Sequence, residues 1–164
     1  MKLFVRLLLL LALLATVFWA WRTFFPNPER IIRQRFQAIA KTASFGRESE
    51  LAKLDNSSRL AAFCTEDVFI TVDVPGAAAR TINGRQEVLQ TAMGARTLLS
   101  GLSVEFIDVN VDLAPDKSSA TVNLTAKGRI PGDRDLMVQE LKFSLTKTKG
   151  DWLVKRVETV KTLL

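Results

Sequence analysis

Histidine and tyrosine are absent from this chain and cysteine occurs once, so proton transfer or nucleophilic attack would fall to Asp, Glu, Lys, Arg or Cys64. The best carboxylates for a base are Asp67 in "TEDVF" and Asp73 in "VFITVDV". Glu66 and Asp67 stand at a turn from helix to strand, where such residues usually bond backbone rather than catalyse. Glu105 alternates with Ile107 and Val109 along one strand face and is a weaker candidate. Cys64 sits among apolar neighbours in "RLAAFCTED" and reads as a small buried hydrophobe, with no histidine to activate it. Without histidine or a second cysteine, only a hard-cation oxygen site could form, and "DRD" at 133–135 is turn chemistry. No metal and no cofactor is expected.

Other residues would shape a ligand pocket rather than react. Period two along the last strand puts Trp152, Val154, Arg156, Glu158 and Val160 on one face. If that face lines a cavity, Arg156 and Glu158 form a polar patch at its mouth. A twist or bulge would instead turn them to solvent and bring Val157 and Val160 into the core. Gln139 shares a face with Met137, Leu141, Phe143 and Leu145 and points either inward or to solvent at a strand end. The ligand-pocket candidates are therefore Gln139, Phe143, Trp152, Arg156 and Glu158.

The elements that must position these side chains fall into two parts. "NPERIIRQRFQAIAKTAS" opens with Asn27 as N-cap, Pro28 at the first helical position and Glu29 at the positive end of the dipole. Ile32, Phe36, Ile39 and Ala40 recur at helical spacing on one face. After "GRESE", the stretch "LAKLDNSSRLAAFCTED" predicts a second helix ending before Asp67. "VFITVDV" is a strand stopped by Pro75 and Gly76, and "ARTI" a short return strand. "NGRQEVLQTAMGARTLL" predicts a third helix packing through Val88, Leu89, Ala92 and Met93.

Beyond this the period changes from 3.6 to 2. Four strand patterns, "SVEFIDVNVDL", "SATVNLTAKGRI", "DLMVQELKFSLTK" and "DWLVKRVETVKTL", are separated by the turns "APDK", "PGDR" and "TKGD". Short connections require antiparallel hairpins, so an α+β fold is expected, with about three helices packed on a curved antiparallel sheet.

Residues 1–26 are read as a signal-anchor transmembrane helix, with residues 27–164 as one domain. Lys2 and Arg6 precede a leucine-rich run with the layout of a secretory signal, but Phe18 and Leu13 occupy positions where cleavage needs small side chains. Leu7–Trp21 would span only roughly 22 Å, whereas Leu3–Phe25 reaches roughly 34 Å with Arg6 and Arg22 snorkelling at the ends. Trp19, Trp21, Phe24 and Phe25 resemble an interfacial belt. The arginines after the span favour a cytoplasmic domain by the positive-inside count, while the signal-like start favours translocation. The latter is preferred, giving a single-pass protein of the bacterial inner membrane, held through residues 3–25, with a periplasmic domain.

Charge adds an exclusion. The net charge is +6, and Lys2, Arg6 and Arg22 supply half of it. The basic residues from Arg80 onward are spread singly among acids and no aromatics interleave with a basic stripe, so no nucleic acid partner is expected.

"LAAFCTEDVFITVDVPG", "INGRQEVLQ" and "KGDWLVKRVETV", taken in this order, resemble the nuclear-transport-factor-two-like superfamily over roughly residues 29 to 164. Its conical α+β fold is shared with ketosteroid isomerases, limonene epoxide hydrolases and SnoaL-type polyketide cyclases. The resemblance implies a pocket at the open end of the cone and a homodimer through the exposed sheet face. Similar isomerases use an aspartate base with a tyrosine and a protonated aspartate, and dehydratases of the fold use histidine. This chain has neither Tyr nor His. The expectation is a membrane-tethered, non-catalytic binding or assembly module of the cell envelope, taking a partner protein or a small apolar ligand. The alternative is a SnoaL-like isomerase, cyclase or hydrolase using Asp67 or Asp73 as a lone base.

Overall fold

The structure, a computed structural model, describes Thr16 and residues 27–73, 80–133 and 136–160. Apart from Thr16, the expected anchor at residues 1–26 lies outside the described residues. Among the described residues no helix is long and apolar enough to cross a membrane. The chain divides into two units, residues 1–31 and 32–164.

In the first unit, the backbone N–H of Glu29 donates to Asn27 Oδ1 at 3.0 Å, the N-cap bond expected where helix α1 (Pro28–Ala43) begins. The rest of α1 belongs to the second unit, where Ile32, Phe36 and Ile39 are its buried stripe. Helix α2 (Glu50–Ala62) is capped by Ser49, whose hydroxyl accepts from Ala52 N–H. It is shorter than expected: strand β1 (Cys64–Val72) already includes Cys64, Thr65 and Glu66. Strand β2 (Arg80–Asn83) follows, then helix α3 (Arg85–Leu98). Between them Gly84 has φ +82°, with Glu66 O only 3.3 Å from where a Cβ would sit. A side chain there would meet both strain and crowding.

Strands β3 (Ser103–Leu113), β4 (Ser119–Arg129), β5 (Leu136–Thr148) and β6 (Asp151–Thr159) form the expected meander. The turn between β5 and β6 is Lys149–Gly150, both at positive φ, as a two-residue type I′ hairpin requires. The six strands lie in the order β2-β1-β6-β5-β4-β3. The sheet is mixed, correcting the antiparallel expectation, because β1 runs parallel to β6. Hairpin lengths constrain only sequential neighbours; β1 and β6 are joined by most of the domain, which leaves their relative direction free.

One face of the sheet carries the core. Val111, Val122, Leu124, Phe143, Leu145, Trp152, Val154 and Val157 meet Ile32, Phe36 and Ile39 of α1, Ala61 of α2 and Val88 of α3. Met93, expected in the packing face of α3, is 36% exposed. Two bulges reset the inward alternation. In β3 the register shifts between Ile107 and Asn110, with Asp108 at φ +53°, so Glu105 faces out while Val109 turns toward the core. In β6, Val154 pairs with Leu145 and Arg156 with Ser144, leaving Lys155 as the extra residue.

Candidate functional site: an apolar cleft between α1 and β3

Strand β3 is an edge strand, and α1 runs beside it. Arg33, Gln37 and Ala40, spaced by four and three, lie on one face of α1, and Ser44 continues that line just past its end. Ser44 Oγ accepts from Val104 N–H at 2.9 Å, and its one proton is shared between Ala40 O at 2.8 Å and Val104 O at 3.3 Å. Toward the helix start, Arg33 Nη1 donates to Val109 O. Between these bridges a cleft of about 300 Å3 opens, walled by Phe36, Ala40, Val104, Phe106 and Val109 and rimmed by Arg33, Gln37 and Glu105. The walls are apolar and the volume is at the lower end of the range for small-molecule sites.

Behind the cleft the interior is filled. The rings of Phe36 and Phe143 meet edge-to-face at 4.9 Å, and Phe106 completes the cluster at 5.9 Å from Phe36 and 6.2 Å from Phe143. Phe143 is 6% and Trp152 2% exposed, so both are core. Trp152 Nε1 is buried with no hydrogen-bond partner among the described residues. Gln139 does share a face with Leu141 and Phe143 and is half-buried, pairing with Ala126. Of the two readings of β6 the bulge is the one formed, although Val160, expected in the core with Val157, is 38% exposed. The Lys155 bulge sends Arg156 and Glu158 to the outer face, where they pair at 2.9 Å, and turns Val157 inward. Arg156 also lies over the ring of Phe69, 5.2 Å from its centre.

Neither a family model nor a curated protein matches the chain. Solved structures do. An NTF2-like protein with a cystatin-like fold from Novosphingobium aromaticivorans aligns at TM-score 0.64 and 17% identity, over 86% of each chain. A candidate scytalone dehydratase from the same organism aligns at 0.63 and 19%, over 82% of this chain and 84% of that one. A chain of the yeast complex of the deubiquitinase Ubp3 with its cofactor Bre5 aligns at 0.60 and 10%, over 84% and 100%. The chain has the nuclear-transport-factor-two-like fold.

Within this NTF2-like fold Asp67 and Asp73 stand apart from the cleft. Asp67 is fully exposed and its carboxyl is held below the usual range, chiefly by the nearby Thr65 hydroxyl, whose approach falls short of a well-formed hydrogen bond. It lines a second opening of about 580 Å3, where β1 bulges away from β6 between Cys64 and Phe69. The two arginines that line it have carboxylate neighbours: Arg85 pairs with Glu66, and Arg35 approaches Asp151 at 3.6 Å. Asp73 follows β1 and is half-buried, its backbone N–H donating to Thr159 Oγ1 at 3.0 Å. Glu105, on the rim of the α1–β3 cleft, is exposed. Burial pushes the Cys64 thiol up to about 11, with Arg85 opposing, so the thiolate is scarce at neutral pH. Among the described residues no group of three His, Cys, Asp or Glu could hold a metal.

Sequence reading missed Arg33, Gln37 and Ser44 as site residues. Their helical spacing was visible, but nothing local shows that this face runs along a strand edge. It also missed Arg96, which is 4% exposed and paired with Glu48 at 2.8 Å.

Proposed function

We propose that this chain is a membrane-tethered, non-catalytic binding module of the bacterial envelope, taking a small apolar ligand in the α1–β3 cleft. The observation that carries the reading is the filled interior: Phe36, Phe106 and Phe143 occupy the space behind the cleft, whose walls are apolar. The tether rests on the leucine-rich run before Asn27, where Phe18 and Leu13 stand at positions at which cleavage needs small side chains. Expressed in full in a bacterium, the protein should stay with membranes washed in carbonate and keep the mass of residues 1–26. Release in the wash, or loss of those residues, ends the tether. For the cleft, Ala40→Phe, which fills it, should abolish binding of cumene followed by backbone amide shifts at Val104; retained binding would place the ligand elsewhere.

A lone-base enzyme is the second reading, favoured by the half-burial of Asp73 and by a structural neighbour described as a candidate scytalone dehydratase. Asp73→Asn should then lower turnover of a ketone substrate roughly 100-fold in a folded protein. An unchanged rate would leave the binding reading alone.

A further inference from the structure

The edge of β3 is capped on both sides of one gap. Leu102 exchanges both backbone hydrogen bonds with Phe45, each at 2.8 Å. Two residues on, the Val104 N–H is taken by the Ser44 hydroxyl, which also lies 3.3 Å from Val104 O. In an antiparallel ladder, alternate residues point their N–H and C=O the same way. Val104 therefore forms a non-hydrogen-bonded pair with Gly128, and so does Phe106 with Ala126, two residues along in the same register. The Phe106 N–H and C=O consequently point away from β4, toward α1. Past the bulge, Arg33 covers Val109 O. On the α1 side the cleft is lined by Ala40, too short to reach Phe106, and by Gln37. A donor and an acceptor thus stand side by side in an apolar cleft closed at both ends.

We propose that the cleft takes a compact molecule bearing an amide on an apolar body. Its C=O accepts from Phe106 N–H, its N–H donates to Phe106 O, and Gln37 supplies a further partner. The apolar body packs against Phe36, Ala40 and Val109. The Ser44 and Arg33 bridges leave room for one such pair and block a through-running strand, so the occupant is a small molecule. A carboxylic acid would be ionised at neutral pH and could only accept, leaving Phe106 O without a donor even with Arg33 and Glu105 both on the rim. This proposal rests on the reading of the cleft as a ligand site.

The test is amide NMR on the full chain with two probes of equal shape, benzamide and cumene, the latter lacking donor and acceptor. Benzamide should shift Ala40, Val104 and Phe106, and slow hydrogen exchange at Phe106 about tenfold. Cumene should shift Ala40 and Val104 while leaving Phe106 exchange unchanged. Gln37→Leu, on the helix surface, should weaken benzamide about 2- to 10-fold and spare cumene. If both probes shift Ala40 and Val104 but Phe106 exchange is the same with each, the amide chemistry is overturned and the cleft stands. If neither probe moves Ala40 or Val104, the cleft itself is not a ligand site and both readings fall.

Discussion

Glu48 Oε2 lies 2.8 Å from Arg96 Nη1, with the two side chains 15% and 2% exposed. The pair ties three helices together from the loop between α1 and α2. The other Glu48 oxygen accepts from Asn56 Nδ2 of α2 at 2.8 Å, while Arg96 of α3 also donates to Thr42 O near the end of α1. The guanidinium lies over the ring of Phe45, 4.7 Å from its centre. A buried charge with this many partners orders the helix layer, and removing one member strands the other.

Arg96→Ala should therefore destabilise the fold by about 3–5 kcal/mol, read as a lowered urea midpoint at unchanged slope. Combining Arg96→Met with Glu48→Gln should recover part of the loss, since no buried charge then remains unpaired. A loss below about 1 kcal/mol for Arg96→Ala would mean that the pair is solvated in solution.

The β6 bulge makes opposite demands on adjacent residues. Val157→Ala removes buried methyl groups from the core, between Phe143 and Ile70 on the neighbouring strands, and should cost roughly 2 kcal/mol. Arg156→Ala, on the outer face with its partner 41% exposed, should cost under about 1 kcal/mol and leave cleft binding untouched. Reversed costs in urea unfolding would show that β6 keeps its regular alternation.

Cys64 should give stability a slope at high pH. Its folded pKa of about 11 lies above the unfolded value near 9.0, so the native state holds the proton more tightly. The stabilisation is complete below about pH 9 and is lost as pH rises through about 11, a change of roughly 2–3 kcal/mol at 1.36 kcal/mol per pH unit. The difference between wild type and Cys64→Ala should shrink across that window in urea titrations. Modification by a thiol reagent at pH 8 should be slow until the protein is unfolded. Fast labelling of the native chain would contradict the burial of the thiol.

The chain's one-dimensional pattern determined a good deal. Asn27–Pro28–Glu29 marked the start of α1, and Ile32, Phe36 and Ile39 marked its buried face, because caps and periodicity act over a few residues. The clean alternation of Ala120, Val122, Leu124 and Ala126 placed β4 with its inward face correct. Turn chemistry at "TKGD" marked the β5–β6 hairpin, where positive φ falls on Lys149 and Gly150. The absence of Tyr and His, too, is a property of the sequence alone.

Tertiary structure decided the rest. One extra residue at Lys155 moved Arg156 and Glu158 from the expected pocket face to the outside, and the shift at Asp108 parted Glu105 from Val109. A bulge depends on which partner strand is satisfied across the ladder, and alternation within one strand carries no record of it. The parallel pairing of β1 with β6 and the run of α1 along the β3 edge are likewise contacts between segments far apart in the chain. Their energy comes from burying the shared core and pairing edge backbone groups, so Arg33, Gln37 and Ser44 look like ordinary helix-surface residues until the fold brings Phe106 opposite them.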